Sequence, residues 1–214
     1  KKFKTELRID IKTFLTLSLL IGMSLFLGSA LQQVALLHTD VANAAFFTIF
    51  YVPMVPLIIF LFKKETLHWS IWPSVVLCLF GGYLLTNFYD ATVRLGDSLV
   101  LLGALFWSTH IIFVGIMISK YNLPLTIGAV QTLIVAIFSF LIGIVYEEFV
   151  FENIVKEIDS ILYAGILSGG IAFVLQIYAQ KNISPAPAAI IFALEGVLAT
   201  IAAWFLLNQI LGLN

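Results

Sequence analysis

Charge is what this sequence has least of. Only 11% of its 214 residues are Asp, Glu, Lys or Arg, 61% are hydrophobic, and the mean hydropathy is +1.08. A soluble domain of this length carries about twice that charged fraction, so a water-soluble fold is excluded. Charge imbalance is missing too. A net charge of −1 and a pI near 6.3 give no basic surface for nucleic acid. Cysteine occurs once, at Cys78, which leaves neither a disulfide framework nor a cysteine-based metal site. HExxH, GxSxG and paired Asp residues within an apolar stretch are all absent. No catalytic residue, cofactor or metal is therefore expected. Long polar segments are absent as well, so there is no inserted soluble domain and no filter loop of the kind a channel needs.

What is present is a set of apolar stretches of about 20 residues, each enough to cross a hydrocarbon core of about 30 Å as helix. Lipid offers nothing to an unpaired amide, so each stretch must bond within itself. Short alternating strands of a membrane barrel do not occur in the pattern. Seven spans are predicted, at about 13–37, 41–62, 70–88, 98–119, 123–146, 158–180 and 186–207. The expected fold class is an all-α, polytopic membrane helix bundle forming one membrane domain.

Basic residues resist translocation and so report topology. With the N-terminus inside, the inner segments hold Lys1, Lys2, Lys4, Arg8, Lys12, Lys63, Lys64, Lys120 and Lys181, and the outer loops hold only Arg94 and Lys156. The acidic loop with Glu147, Glu148, Glu152, Glu157 and Asp159 also falls outside. The expected orientation is N-terminus in and C-terminus out.

The chain also resembles itself. Residues 28–67 align without a gap on residues 172–211, and Leu31/Leu175, Gln32/Gln176, Ala35/Ala179, Ala42/Ala186, Ala44/Ala188, Ala45/Ala189 and Leu67/Leu211 are identical. Each copy has a Gln near a helix end, a short polar turn, an Ala-rich helix start and a polar exit. The first and sixth spans are five helices apart, so the copies cross the membrane in opposite senses. Inverted repeats of this kind are a transporter signature, with substrate held where they meet. They imply two five-helix repeats of which seven helices are present, so the chain is expected to be incomplete at both ends. On this reading 1–12 is a cytoplasmic tail, 13–88 the last three helices of repeat one, and 89–214 the first four of repeat two.

Three segments carry a family resemblance. QIYAQKNISPAPAAIIFALEGVLATIAAWFLLNQILG resembles the second-repeat signature of EamA-type carriers of the drug/metabolite transporter superfamily. LQQVALLHTDVANAAFFTIFYVPMVPLIIFLFKKETL resembles the first-repeat version, and ALFWSTHIIFVG the opening helix of the second repeat. The resemblance implies a ten-helix secondary transporter in a bacterial cytoplasmic (inner) membrane, exporting small amino-acid-like or drug-like metabolites by alternating access. Its partners would be a small-molecule substrate, the lipid bilayer and protons; oligomeric state is not legible. Two departures stand out. Gly196 occupies the place where many relatives have Pro, and Gln209 replaces a Glu that copy one keeps as Glu65.

Polar residues within the spans are the candidates for a substrate or proton pathway. Glu195 is near the centre of the seventh span, where an ionised side chain costs at least about 2.5–3.5 kcal/mol. A substrate-amine contact, a proton-carrying site and a protonated Glu bonded to a neighbouring helix are the open readings. Its face, Ala188–Phe192–Glu195–Ala199–Ala202, is expected to turn inward toward Gln176, His110 and Trp107. Tyr51 is its repeat partner. Gln176 recurs as Gln32, and both are candidate cavity residues. Gly165, Gly169, Ala172, Gln176 and Gln180 share a face on which close helix packing is the simpler reading. Gly103, Trp107, His110 and Val114 share another, where His110 is either titratable or an interhelical hydrogen-bonding group. Gln131 reads as packing, Asn43 and Pro187 as helix-start residues. Pro53 and Pro56 each remove a backbone donor and interrupt the second span. The rival to a transporter is a seven-helix membrane receptor or sensor; a retinal protein would need a Lys in the last span, and none is there.

Overall fold

The computed structural model describes residues 10–39, 41–64, 66–85, 94–195 and 198. Its elements in chain order are α1 (Ile11–Ala35), α2 (Val41–Thr48), α3 (Tyr51–Ile58), a π-helical turn (Ile59–Lys63), α4 (Ile71–Leu85), α5 (Leu95–Tyr121) and α6 (Pro124–Tyr146). There follow α7 (Phe151–Lys156), α8 (Ile158–Leu162), a π-helical segment (Tyr163–Ala172), α9 (Phe173–Gln180) and α10 (Pro185–Phe192). The described residues are helical with no strand. Five stretches are long and apolar enough to cross a membrane: Ile11–Ala35, Asn43–Phe62, Leu95–Tyr121, Pro124–Tyr146 and Ile158–Gln180. A shorter apolar helix covers Ile71–Gly81. The seventh predicted span is described through Glu195, and the rest of it, apart from Leu198, lies outside the described residues. Residues 1–9 of the predicted tail lie outside them as well.

Local chemistry sets the helix ends. Asp10 caps α1, accepting from the Thr13 amide at 3.4 Å and from the Thr13 hydroxyl. Those bonds to Thr13 hold its carboxyl below the usual carboxylate range. Between α5 and α6 the chain turns at Asn122, whose φ of 54° lies in the left-handed region that Asn tolerates better than most residues. Pro124 then opens α6, where a missing N–H costs nothing.

Two compact units make up the chain, one from Lys1–Ser29 with Thr109–Ser184, the other from Ala30–Ser108 with Pro185–Asn214. Between helices in lipid the hydrophobic effect is weak, so close packing and interhelical hydrogen bonds must hold them. The first unit shows both. Ile21, Val114, Met117, Ile118, Tyr121, Ile127 and Ile177 form its buried cluster. Phe14 meets Tyr121 edge-on at 5.2 Å, and the Tyr121 hydroxyl donates to the Asp10 carbonyl at 3.2 Å. Gly22 lets α1 touch α6, because an added Cβ there would sit 2.6 Å from Cβ of Ile134. In the second unit Ala35, Ala44 and Val100 form a buried cluster with Phe47 and Leu99 against it. There α10 packs on α3 and α4, and α2 also packs on α4. Large apolar side chains such as Leu133, Ile137, Phe140 and Ile144 remain exposed along α6, the surface a lipid-facing helix presents.

Candidate functional site

The internal repeat reappears in the backbone. α2 covers Val41–Thr48 and α10 covers Pro185–Phe192. These are the same eight positions under the alignment of residues 28–67 on 172–211. After α2 the amides of Ile49 and Phe50 bond three residues back, to Phe46 and Phe47, whereas after α10 Ala193 turns while its amide still bonds the Ala189 carbonyl four residues back at 3.1 Å. The first interruption has a local cause. Pro53 has no N–H to reach the Ile49 carbonyl four residues back, and that carbonyl is taken instead by Val52 at 2.9 Å. The break therefore falls ahead of the prolines rather than at them. Val197 holds the equivalent place in the second copy, and nothing in the described residues explains why α10 ends at Phe192.

Tyr51 follows the turn after α2 and Glu195 lies two residues past Ala193; they are the pair matched by the repeat. Tyr51 is half-buried and Glu195 exposed. The packing of α3 on α10 brings Glu195 within electrostatic reach of the Tyr51 hydroxyl, and Cys78 on α4 reaches the same hydroxyl. Along the expected inward face of the seventh span, Ala188 is buried, Phe192 half-buried and Glu195 exposed; Ala199 and Ala202 lie outside the described residues. A carboxyl group and a phenol in the same region offer hydrogen-bonding groups of both kinds. Discontinuous helices at matching positions of two halves are where such polar groups survive in a membrane, because the irregular backbone lines a cavity rather than lipid.

The other candidates fall in two places. In the second unit Trp107 Nε1 donates to Gln32 Oε1 at 3.2 Å, joining two predicted residues. In the first unit His110 is fully buried, and its Nε2 lies 3.1 Å from Oε1 of Gln131, an approach that requires the proton on Nε2. Phe173 packs edge-on to the His110 ring at 5.9 Å. Gln131 is itself buried, and its Nε2 has no hydrogen-bond partner among the described residues. Gln180 donates through Nε2 to the Ile111 carbonyl at 2.9 Å. Gln176 is half-buried on α9, whereas Gly165 on the same predicted face has no atom within 4 Å of an added Cβ. Close packing through that glycine is therefore not seen.

One polar pair escaped the sequence reading. Asp97, buried in the first turn of α5, accepts from the Thr39 hydroxyl. Its only sequence signal is an acid three residues into a helix, which reads as ordinary capping. Glu65, Gly196 and Gln209, where the family pattern is kept or broken, lie outside the described residues.

A sequence profile of the EamA-like transporter family matches residues 94–214, more than half of the chain. The chain belongs to the EamA-like transporter family. An uncharacterized transporter of Archaeoglobus fulgidus is 30% identical to this EamA-like chain over 191 residues. The alignment takes in 89% of the chain and 61% of that relative, so the chain spans less than two thirds of the relative's length. Family membership, the apolar spans and the all-helical bundle together make this an integral membrane protein.

Proposed function

We propose that this EamA-like chain forms the substrate-translocating part of a secondary active exporter of small, amino-acid-like or drug-like metabolites. It works by alternating access, is driven by protons, and resides in a bacterial cytoplasmic membrane. The matching positions of α2 and α10 in the repeat, and the packing of α3 on α10 that puts Tyr51 within electrostatic reach of its repeat partner Glu195, carry the reading. A residue and its repeat partner that come near one another lie close to the axis relating the two halves, and substrate in inverted-repeat carriers sits at that axis. Glu195 then binds either a substrate ammonium or a proton, and the two exclude each other, which is the minimum needed to couple their movements. Gln32 with Trp107 supplies further polar contacts. The full carrier is a ten-helix protein of two five-helix repeats, to which residues 13–88 and 89–214 belong in turn.

The test uses everted vesicles carrying the parent protein, with a proton gradient imposed and a panel of labelled amino acids and cationic dyes offered. Glu195→Gln keeps shape and hydrogen bonding without titrating, so gradient-driven accumulation should be lost while the protein still inserts. Glu195→Asp should keep part of the activity. Normal transport by Glu195→Gln with an unchanged pH profile would remove the coupling role.

A further inference from the structure

The carboxylate of Asp97 has no part in the reading above, yet it is only 2% exposed. One oxygen accepts from the backbone amide of Arg94 at 2.8 Å, and the other from the hydroxyl of Thr39 in the turn after α1. The backbones approach as closely as glycine permits. A Cβ added at Gly96 would sit 2.7 Å from the Ala35 carbonyl oxygen, 2.7 Å from Cβ of Thr39 and 2.8 Å from the His38 carbonyl carbon. Beneath this contact lie Ala35, Ala44 and Val100.

Helix initiation uses only the Arg94 bond, the acidic half of a capping box. The bond to Thr39 is surplus to it and joins the end of one span to the start of another. A charge-assisted hydrogen bond is about twice as strong as a neutral one, so this single contact can bias whether the two ends stay together. While the ends stay together, breaking it would leave the Asp97 oxygen and the Thr39 hydroxyl buried and unpaired, which holds the contact shut. Arg94 and His38 beside them are exposed, so water enters as soon as the ends part, and Asp97 keeps the Arg94 amide. A buried brace in the middle of a span would have no such exit.

We propose that Thr39 and Asp97 form a latch that closes this end of the α1–α5 pair, with Asp97 as the positioning residue whose bond to Thr39 releases when that end opens. The latch stands on its own geometry; its use during turnover rests on the transport reading.

Hydrogen exchange of the protein in nanodiscs, without substrate, tests the latch directly. Thr39→Val is nearly isosteric and removes only the donor. It should speed exchange of amides in 36–39 and 95–100 about tenfold, equivalent to about 1.4 kcal/mol, and leave amides in 110–121 as in the wild type. Asp97→Asn can still accept from the Arg94 N–H and donate its amide to the Thr39 hydroxyl, so it keeps a neutral bond and should speed exchange less than Thr39→Val. Thr39→Ser restores the hydroxyl and should restore wild-type exchange. Wild-type exchange in Thr39→Val, or a serine variant that behaves like valine, would overturn the latch. Transport is measured separately: Thr39→Val should change turnover more than KM, and Thr39→Ser should reverse the change. Altered exchange with unaltered turnover would show a static brace and overturn the release step. Absence of transport in the unsubstituted parent protein would fault the transport reading while leaving the exchange result standing.

Discussion

Replacing Gly22 by alanine sets two physical effects against each other. Alanine is the better helix former, and in an exposed helix interior the change stabilises by about 0.5–1 kcal/mol. At Gly22 the new methyl would meet Ile134, at 2.6 Å from its Cβ, 2.6 Å from its Cγ2 and 2.9 Å from its Cδ1. Ordinary carbon contacts begin near 3.5 Å, so α1 and α6 must separate by most of an ångström or Ile134 must leave its rotamer. A Cβ cannot move by rotamer change, so the helices have to shift. Overpacking of this kind costs about 1–3 kcal/mol, which outweighs the propensity gain and leaves a net loss of about 0.5–2 kcal/mol. Thermal unfolding in detergent reads the result. Gly81 is the internal control, because an added Cβ there has nothing within 4 Å, and Gly81→Ala should be neutral or raise the melting temperature. Ile134→Ala clears two of the three contacting atoms, so the double variant should recover about 0.5 kcal/mol or more beyond additivity. If Gly22→Ala melts at or above the wild type, α1 and α6 do not make this approach and the packing of the first unit has been misread.

Two further outcomes follow from the polar contacts. Gln131→Leu removes the partner of buried His110 Nε2, so it should destabilise by about 1–3 kcal/mol; His110→Phe in the same background should recover part of that loss, both read as unfolding midpoints. Asp10 contributes helix-capping stability while its carboxyl is ionised; because its folded value lies below the ordinary 3.8, that contribution is full above the ordinary value and is lost as pH falls through the lowered one. Protection of the Thr13 amide, taken relative to its intrinsic exchange rate at each pH, should accordingly hold down to about pH 4 and fall only in stronger acid, and Asp10→Ala should remove the transition.

The spans were legible because length and hydropathy alone determine them: 13–37 became Ile11–Ala35, and 123–146 became Pro124–Tyr146. The interruption of the second span was legible in kind but not in place. Proline acts on the carbonyl four residues before it, which moves the break to Ile49. The end of α10 left no such mark, and the π-helical stretch at Tyr163–Ala172 was signalled only by the weak helix formers Gly165, Gly169 and Gly170. The polar pairs were least legible. Trp107 and His110 were picked out as neighbours on one face, yet the first bonds Gln32 in the second unit and the second bonds Gln131 in the first. Thr39 and Asp97 are 58 residues apart and each looks like a local capping group. Which helices face one another is a property of packing, and a single sequence does not encode it in any local pattern.

The equal length of α2 and α10 restricts how these two segments can change by insertion or deletion. Each added residue turns everything beyond it by about 100° and carries it about 1.5 Å along the axis. One residue gained in α2 would change the direction of Tyr51 relative to α10, and one lost in α10 would change that of Glu195 relative to α3. Substitution can be absorbed at either segment as long as the replacement keeps the size and polarity of the residue it replaces. A frame-preserving insertion of a single codon cannot, unless a second change restores the phase. Evolution of these helices is therefore expected to proceed by replacement and not by resizing, with tolerated length changes displaced to the loops on either side.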